Sequence, residues 1–179
     1  MSGALLALVL AAGGVTMASP AGATAPRANT FRASGKTVSF SGHYQGDASL
    51  LINNGAVTIS SVTGKGKGTL VGASTISGKG SASSTAQCDP FTGTGIIAGA
   101  AAKLNLHVVE SKSSGCSSGE SGPVTVTFTG LAVVTGGSAK ASGASGSLKF
   151  NGTLKLGGTS GSQNGSYTVA LTGKLTVKG

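Results

Sequence analysis

The chain has 179 residues, 32 of them Gly, and carries thirteen Lys or Arg against four Asp or Glu, a net charge of +9. Two His and four scattered carboxylates form no set with metal-ligand spacing and no pair suited to glycoside hydrolysis, so neither a metal nor a cofactor is expected. Only two Arg and seven aromatics are present, too few for bidentate base contacts or base stacking, which argues against sequence-specific nucleic-acid readout.

In chain order, the apolar run beginning at Leu5 and the small-x-small site Ala21-Gly22-Ala23 read as a secretory signal peptide, residues 1–23. The run falls short of the ~20 residues of a spanning helix, so no membrane span is expected after cleavage. No Lys or Arg precedes it, which a start site placed too late would explain; a retained anchor helix is the alternative reading. Residues 24–34, rich in Ala, Pro, Arg and Asn, suit a flexible lead-in. Residues 35–179 then form one β domain, placed outside the cell or at its surface.

The first strand expected is Lys36–Ser41, ended by a turn at Gly42–Gly46. Asn54-Gly55 between alternating runs is a type I′ hairpin signal, because both central positions need positive φ. Gly66–Ala82 predicts a bent or bulged strand pair, and Lys103–Glu110 a strand with Leu104, Leu106 and Val108 inward. From Val124 to Lys178 every second side chain is apolar, with Thr, Ser and Lys between, as strands require and helices do not. The apolar phase switches from Phe128 to Leu131, predicting a bulge beside Gly130, and Asn164-Gly165 predicts a second hairpin turn. The whole is read as all-β: an antiparallel β-barrel of about 8–10 strands, with a β-sandwich as the alternative. Val62-Thr-Gly64 with Gly72-Ala-Ser74, and Val134-Thr-Gly136 with Gly143-Ala-Ser145, hint at internal duplication.

Cys88 and Cys116 lie in Ser/Gly/Pro-rich surroundings and, in an exported chain, pair as one disulfide stapling two loops. Closing a loop of about 29 residues stabilises the fold by roughly 3–4 kcal/mol. Lysines 65, 67, 79, 103, 149, 155 and 174 fall on polar strand phases or in turns, as a coat that discourages edge pairing or as a surface for an anionic polymer. The sequons at Asn151 and Asn164 read as a strand position and as turn chemistry.

The segment Gly136-Gly-Ser-Ala-Lys-Ala-Ser-Gly143-Ala-Ser-Gly146 resembles a turn motif of the dirigent and allene-oxide-cyclase barrels, Gly-Gly-Thr-Gly-x-aromatic-x-Gly-Ala-x-Gly, and of many exported bacterial β-proteins. Ser138, Ala139 and Ala141 stand where that pattern has Thr, Gly and the aromatic. The resemblance implies an eight-stranded antiparallel barrel with a central cavity; none of those families' functional residues can be placed on this chain.

Among chemically capable groups, His43 and Tyr44 in the expected turn, next to Asp47, are the candidate ligand-binding cluster. Gly115-Cys-Ser-Ser-Gly119 has the form of a nucleophile elbow, but no helix pattern follows it and both His lie upstream. His107 and Glu110, three residues apart on a strand, point to opposite faces. No catalytic residue is assigned. The expected function is that of a non-enzymatic binding or structural module. The alternatives are a barrel that holds a small apolar ligand or steers its cyclisation, and a polyanion-binding adhesion protein. Unfilled volume inside the barrel, about 300 Å³ or more, separates ligand binding from scaffold.

Overall fold

The period-two alternation builds nine strands, described in a computed structural model over residues 35–119 and 122–179. The expected signal peptide and lead-in lie outside the described residues. In order these are β1 (Gly35–Asn53), β2 (Ala56–Gly68), β3 (Gly72–Ser83), β4 (Cys88–Gly99), β5 (Ala102–Val108), a 3-10 turn at Glu110–Lys112, β6 (Ser114–Ser118), β7 (Val124–Ala139), β8 (Ser145–Leu156) and β9 (Gly161–Lys178). Every pairing is antiparallel, and β9 returns to β1 from Gly35 to Ile52, so the sheet closes on itself. This is a closed eight-stranded barrel with one additional strand, and not a sandwich.

The additional strand is β6, which continues the line of β5. Both lie between β4 and β7. Val108 faces Gly93 and Cys116 faces Cys88, so eight residues on one side match five on the other. The three residues in excess are those of the 3-10 turn. Ser113, buried, closes the break: its carbonyl accepts from Phe91 N at 3.4 Å and its hydroxyl from Leu131 N at 3.3 Å.

The register fixes the barrel's girth. Following facing pairs from Leu50 through Ile59, Gly80, Gly93, Val108, Ala132, Leu148 and Gly173 returns the path to β1 at Phe40, ten residues from its start. A stagger of that size over eight strands tilts them by roughly 40° and leaves an interior for side chains or one small ligand.

One half of that interior is full. Phe40, Tyr44, Ile97, Leu104, Leu148, Leu171 and Leu175 pack there, capped by Val71 from the β2–β3 turn and by Ala141 and Ala144 from the β7–β8 turn. Rings are seated against glycines directly across the sheet: Phe40 on Gly173, Tyr44 on Gly66, Tyr167 on Gly46, Phe128 on Gly152 and Phe150 on Gly130. A β-carbon on Gly66, Gly130 or Gly152 would collide with the ring opposite. The glycine content of the inner face therefore makes room for aromatic rings.

Several local expectations change for this reason. Gly42 and Gly46 do not end a strand; they are inward positions, Gly42 against the rings of Phe40 and Tyr44 and Gly46 against the backbone of Thr63 and Gly64, and β1 runs unbroken through them. Gly130 is likewise inward beside Phe150, and the even phase continues to Val134, leaving Leu131 and Val133 on the outside. The β7 irregularity falls instead at Thr135–Gly136, opposite Asn105 and Leu106. Asn164-Gly165 lies within β9, and residues 157–160 make the connection. Asn54-Gly55 is the expected turn, with φ of 49° and 77°. Of the suspected repeats, Gly72 opens β3 and Gly143 lies in the turn before β8, at φ 73° and 65°.

Outward side chains are mainly Ser, Thr, Asn and Lys, as in Ser162, Asn164, Ser166, Thr168, Thr172 and Lys174 of β9, with Leu51 and Val133 the large apolar residues exposed among the described residues. The barrel thus has its apolar face inside, the reverse of one that faces lipid. No helix among the described residues is long and apolar enough to cross a membrane.

Candidate functional site: an apolar cavity in the open half of the barrel

The other half of the interior is a cavity of about 420 Å³. Its walls come from the ends of strands that carry small or branched inward residues: Leu50 and Ile52 of β1, Val57, Ile59 and Val62 of β2, Gly78 and Gly80 of β3, Gly93 and Gly95 of β4. Val124 and Val126 of β7 and Leu154 and Leu156 of β8 complete them. Facing glycines such as Gly80 and Gly93 have no ring above them, so this sector stays empty. Phe91, Phe128 and Phe150 form a cluster on its wall, with ring centroids 5.9–6.4 Å apart. An apolar void far smaller than this, ~150 Å³, stays dry and takes up small hydrocarbons.

Two polar groups of the lining are nearly buried. Asp89, 9% exposed, is at the mouth. Its Oδ1 accepts from Ser83 Oγ at 2.6 Å and Thr85 Oγ1 at 3.2 Å, and its Oδ2 from the Ala86 amide at 3.0 Å. The Ser83 hydroxyl first, then the Ala86 amide, hold this carboxyl below its usual pKa, outweighing the opposing effect of burial. These bonds fix the 84–87 rim. Tyr167, 6% exposed, rests over Gly46 and reaches Gly64, and its hydroxyl has no hydrogen-bond partner. Burial, then the nearby Asp47 charge, pushes it up to about 12, so it stays protonated.

The candidate cluster His43, Tyr44 and Asp47 is not brought together, which corrects the expected turn at the barrel mouth. All three lie within β1, where His43 and Asp47 project outward and Tyr44 is buried in the filled half. Tyr44 donates to Ser74 Oγ at 3.0 Å, since the Ser74 proton goes to Gly72 O at 3.1 Å. Burial raises the Tyr44 pKa and the Ser74 bond partly offsets it. Cys88 and Cys116 do form a disulfide, but between facing residues of β4 and β6, with Cα atoms 4.0 Å apart, and not between loops. It ties the short β6 to the sheet beside the cavity mouth. Ser117 lies in that strand facing the cavity, with no elbow turn or helix.

His107 is exposed on the outside of β5. The exposed lysines are spread over β2, β3, β5, β8 and β9, around the circumference rather than on one side. No group of three or more His, Cys, Asp or Glu among the described residues is placed to hold a metal. The turn segment Gly136–Gly146 closes the filled end, and Ala141, where the resembled motif carries an aromatic, is fully buried there. No single residue of the sequence marks the cavity; its signal is the run of inward Gly and Val in strand ends that lack a facing ring. No family model, curated protein or solved structure matches the chain.

Proposed function

We propose that the protein is an exported carrier that holds a small apolar molecule inside the open half of its barrel. The supporting observation is the cavity of about 420 Å³, open at one end and lined chiefly by Leu, Ile, Val, Phe and Gly. That volume lies within the range of small-molecule sites, and a purely structural barrel gains stability by filling it. A Cys88–Cys116 crosslink suits the oxidising conditions met after export. The test is titration with N-phenyl-1-naphthylamine, an uncharged dye that brightens in apolar surroundings. Saturable 1:1 binding is expected, and Val126→Trp, which fills the cavity, should weaken it by at least about tenfold without lowering Tm. Dye binding that Val126→Trp leaves unchanged would place the dye elsewhere and overturn the proposal.

A further inference from the structure

Polarity is unevenly distributed around the cavity. Below the mouth the lining is chiefly Leu, Ile, Val, Phe, Ala and Gly with the ring of Tyr167, whereas Ser83, Ser84, Gln87, Asp89 and Ser117 gather on one side of the rim, with Thr159 of the β8–β9 connection away from them. The sheet brings them there: Ser83 ends β3, Asp89 follows the first residue of β4, and the Ser117 amide donates to Gln87 O at 2.8 Å. Asp89 is the one carboxylate among the described lining residues, with two hydroxyl donors on Oδ1, the Ala86 amide on Oδ2 and the Thr85 amide also acting on it, so a ligand head reaches it by sharing or replacing one of these donors. The single Lys in the lining, Lys79, is on the outward phase of β3 and exposed. A ligand head at this rim therefore meets an acceptor and a negative charge in a partly desolvated place, with no cation to offset them.

We infer that the cavity selects an amphiphile whose head donates hydrogen bonds, an alcohol or an ammonium, with the head at Asp89 and the hydrocarbon body in the barrel. This rests on the cavity being a binding site. A carboxylate head is disfavoured there by like-charge repulsion, so the barrel discriminates against fatty acids of the same chain length.

The experiment is displacement of N-phenyl-1-naphthylamine from the exported protein at neutral pH by decane, 1-decanol, decylammonium and decanoate. Decanol and decylammonium are expected to displace the dye at concentrations at least about tenfold lower than decanoate. Decanol and decylammonium favoured alike identifies a hydrogen-bonding head whatever its charge, and decylammonium favoured further identifies a cationic one, either supporting the inference; decanol favoured alone overturns it. Asp89→Asn should bring decanoate to within about twofold of decanol. Because Asp89→Asn loses the Ala86 bond and can loosen the rim, Gln87→Lys, an exposed position, is the second arm and should also narrow the gap. Equal displacement by all three amphiphiles, a preference for decanoate, or no response to Gln87→Lys overturns the head-group inference while decane displacement leaves the apolar site standing. Absence of dye binding altogether overturns both.

Discussion

Phe150 stands directly opposite Gly130, and its Cζ lies 2.5 Å from where a β-carbon on that glycine would be. Two residues further along, the order reverses, with Phe128 on β7 facing Gly152 on β8. A ring over a bare backbone is how a narrow barrel accommodates aromatics without pushing its strands apart, and it is known to rescue glycine in sheets. Such pairs run from the filled half, at Phe40 and Tyr44, to the cavity wall, at Phe128 and Phe150, and the cavity lies where Gly80 faces Gly93 with no ring above them.

Gly130→Ala should accordingly destabilise the protein by about 1–3 kcal/mol, because Phe150 and Ser113 already occupy the space. Gly115→Ala is the comparison. Its β-carbon would have Val126 Cγ1 as nearest contact at 3.3 Å, and it faces the cavity. A change below about 0.5 kcal/mol is expected there. Urea denaturation of both variants measures the difference.

The two Asn-Gly pairs should respond for different reasons. At Gly55, φ of 77° makes Gly55→Ala cost about 1–2 kcal/mol through backbone strain. At Gly165 a new β-carbon would strike the Lys155 carbonyl and Leu156 of β8, so Gly165→Ala is an overpacking change, costing about 1–3 kcal/mol. Replacing each by Asn separates them: Asn tolerates positive φ, so Gly55→Asn should recover most of the loss, and Gly165→Asn none.

These positions show why the sequence was legible in some places and not in others. Alternation gave the strands and their inward residues, Leu104, Leu106 and Val108 among them, since burial of one face imposes it directly. The disulfide pairing needed only two cysteines. Glycine was ambiguous: at Gly55 it supplies positive φ, at Gly42 and Gly130 it makes space for a ring, and at Gly46 it lets the β2 backbone approach. Only the partner strand tells these apart. Leu131 and Val133 misled the phase because apolar residues sit outside as well as inside. The cavity is absent volume and leaves no residue of its own to read. His43, Tyr44 and Asp47, the densest polar group by sequence, lie within β1 rather than in a turn, with Tyr44 inward and the other two outward.

Tyr167 carries a buried hydroxyl without a partner, so Tyr167→Phe should raise stability at neutral pH by about 1 kcal/mol. Its folded pKa of about 12 also sets an alkaline dependence. In the unfolded chain the phenol ionises near its ordinary value of 10, while the folded protein retains the proton. Its contribution is thus fully present below pH ~10 and is lost as pH rises toward ~12. Wild type should lose on the order of 1–2 kcal/mol more across that window than Tyr167→Phe, measured by urea denaturation at a series of pH values.

Removing the crosslink by Cys88→Ala with Cys116→Ala should cost roughly 3–4 kcal/mol, from a sequence separation of 28 residues. Hydrogen exchange should show the loss of protection centred on β6, which is five residues long and tied to β4 through only three facing pairs.

Diffraction from crystals pressurised with xenon tests most directly whether half of this barrel is empty and apolar. Xenon enters dry apolar voids and leaves filled cores alone. Ordered xenon among Leu106, Val126, Phe128 and Leu154 is expected, with none in the half occupied by Phe40, Leu104 and Leu175. An interior without xenon, with Val126 and Leu154 collapsed onto Phe91, would contradict the account.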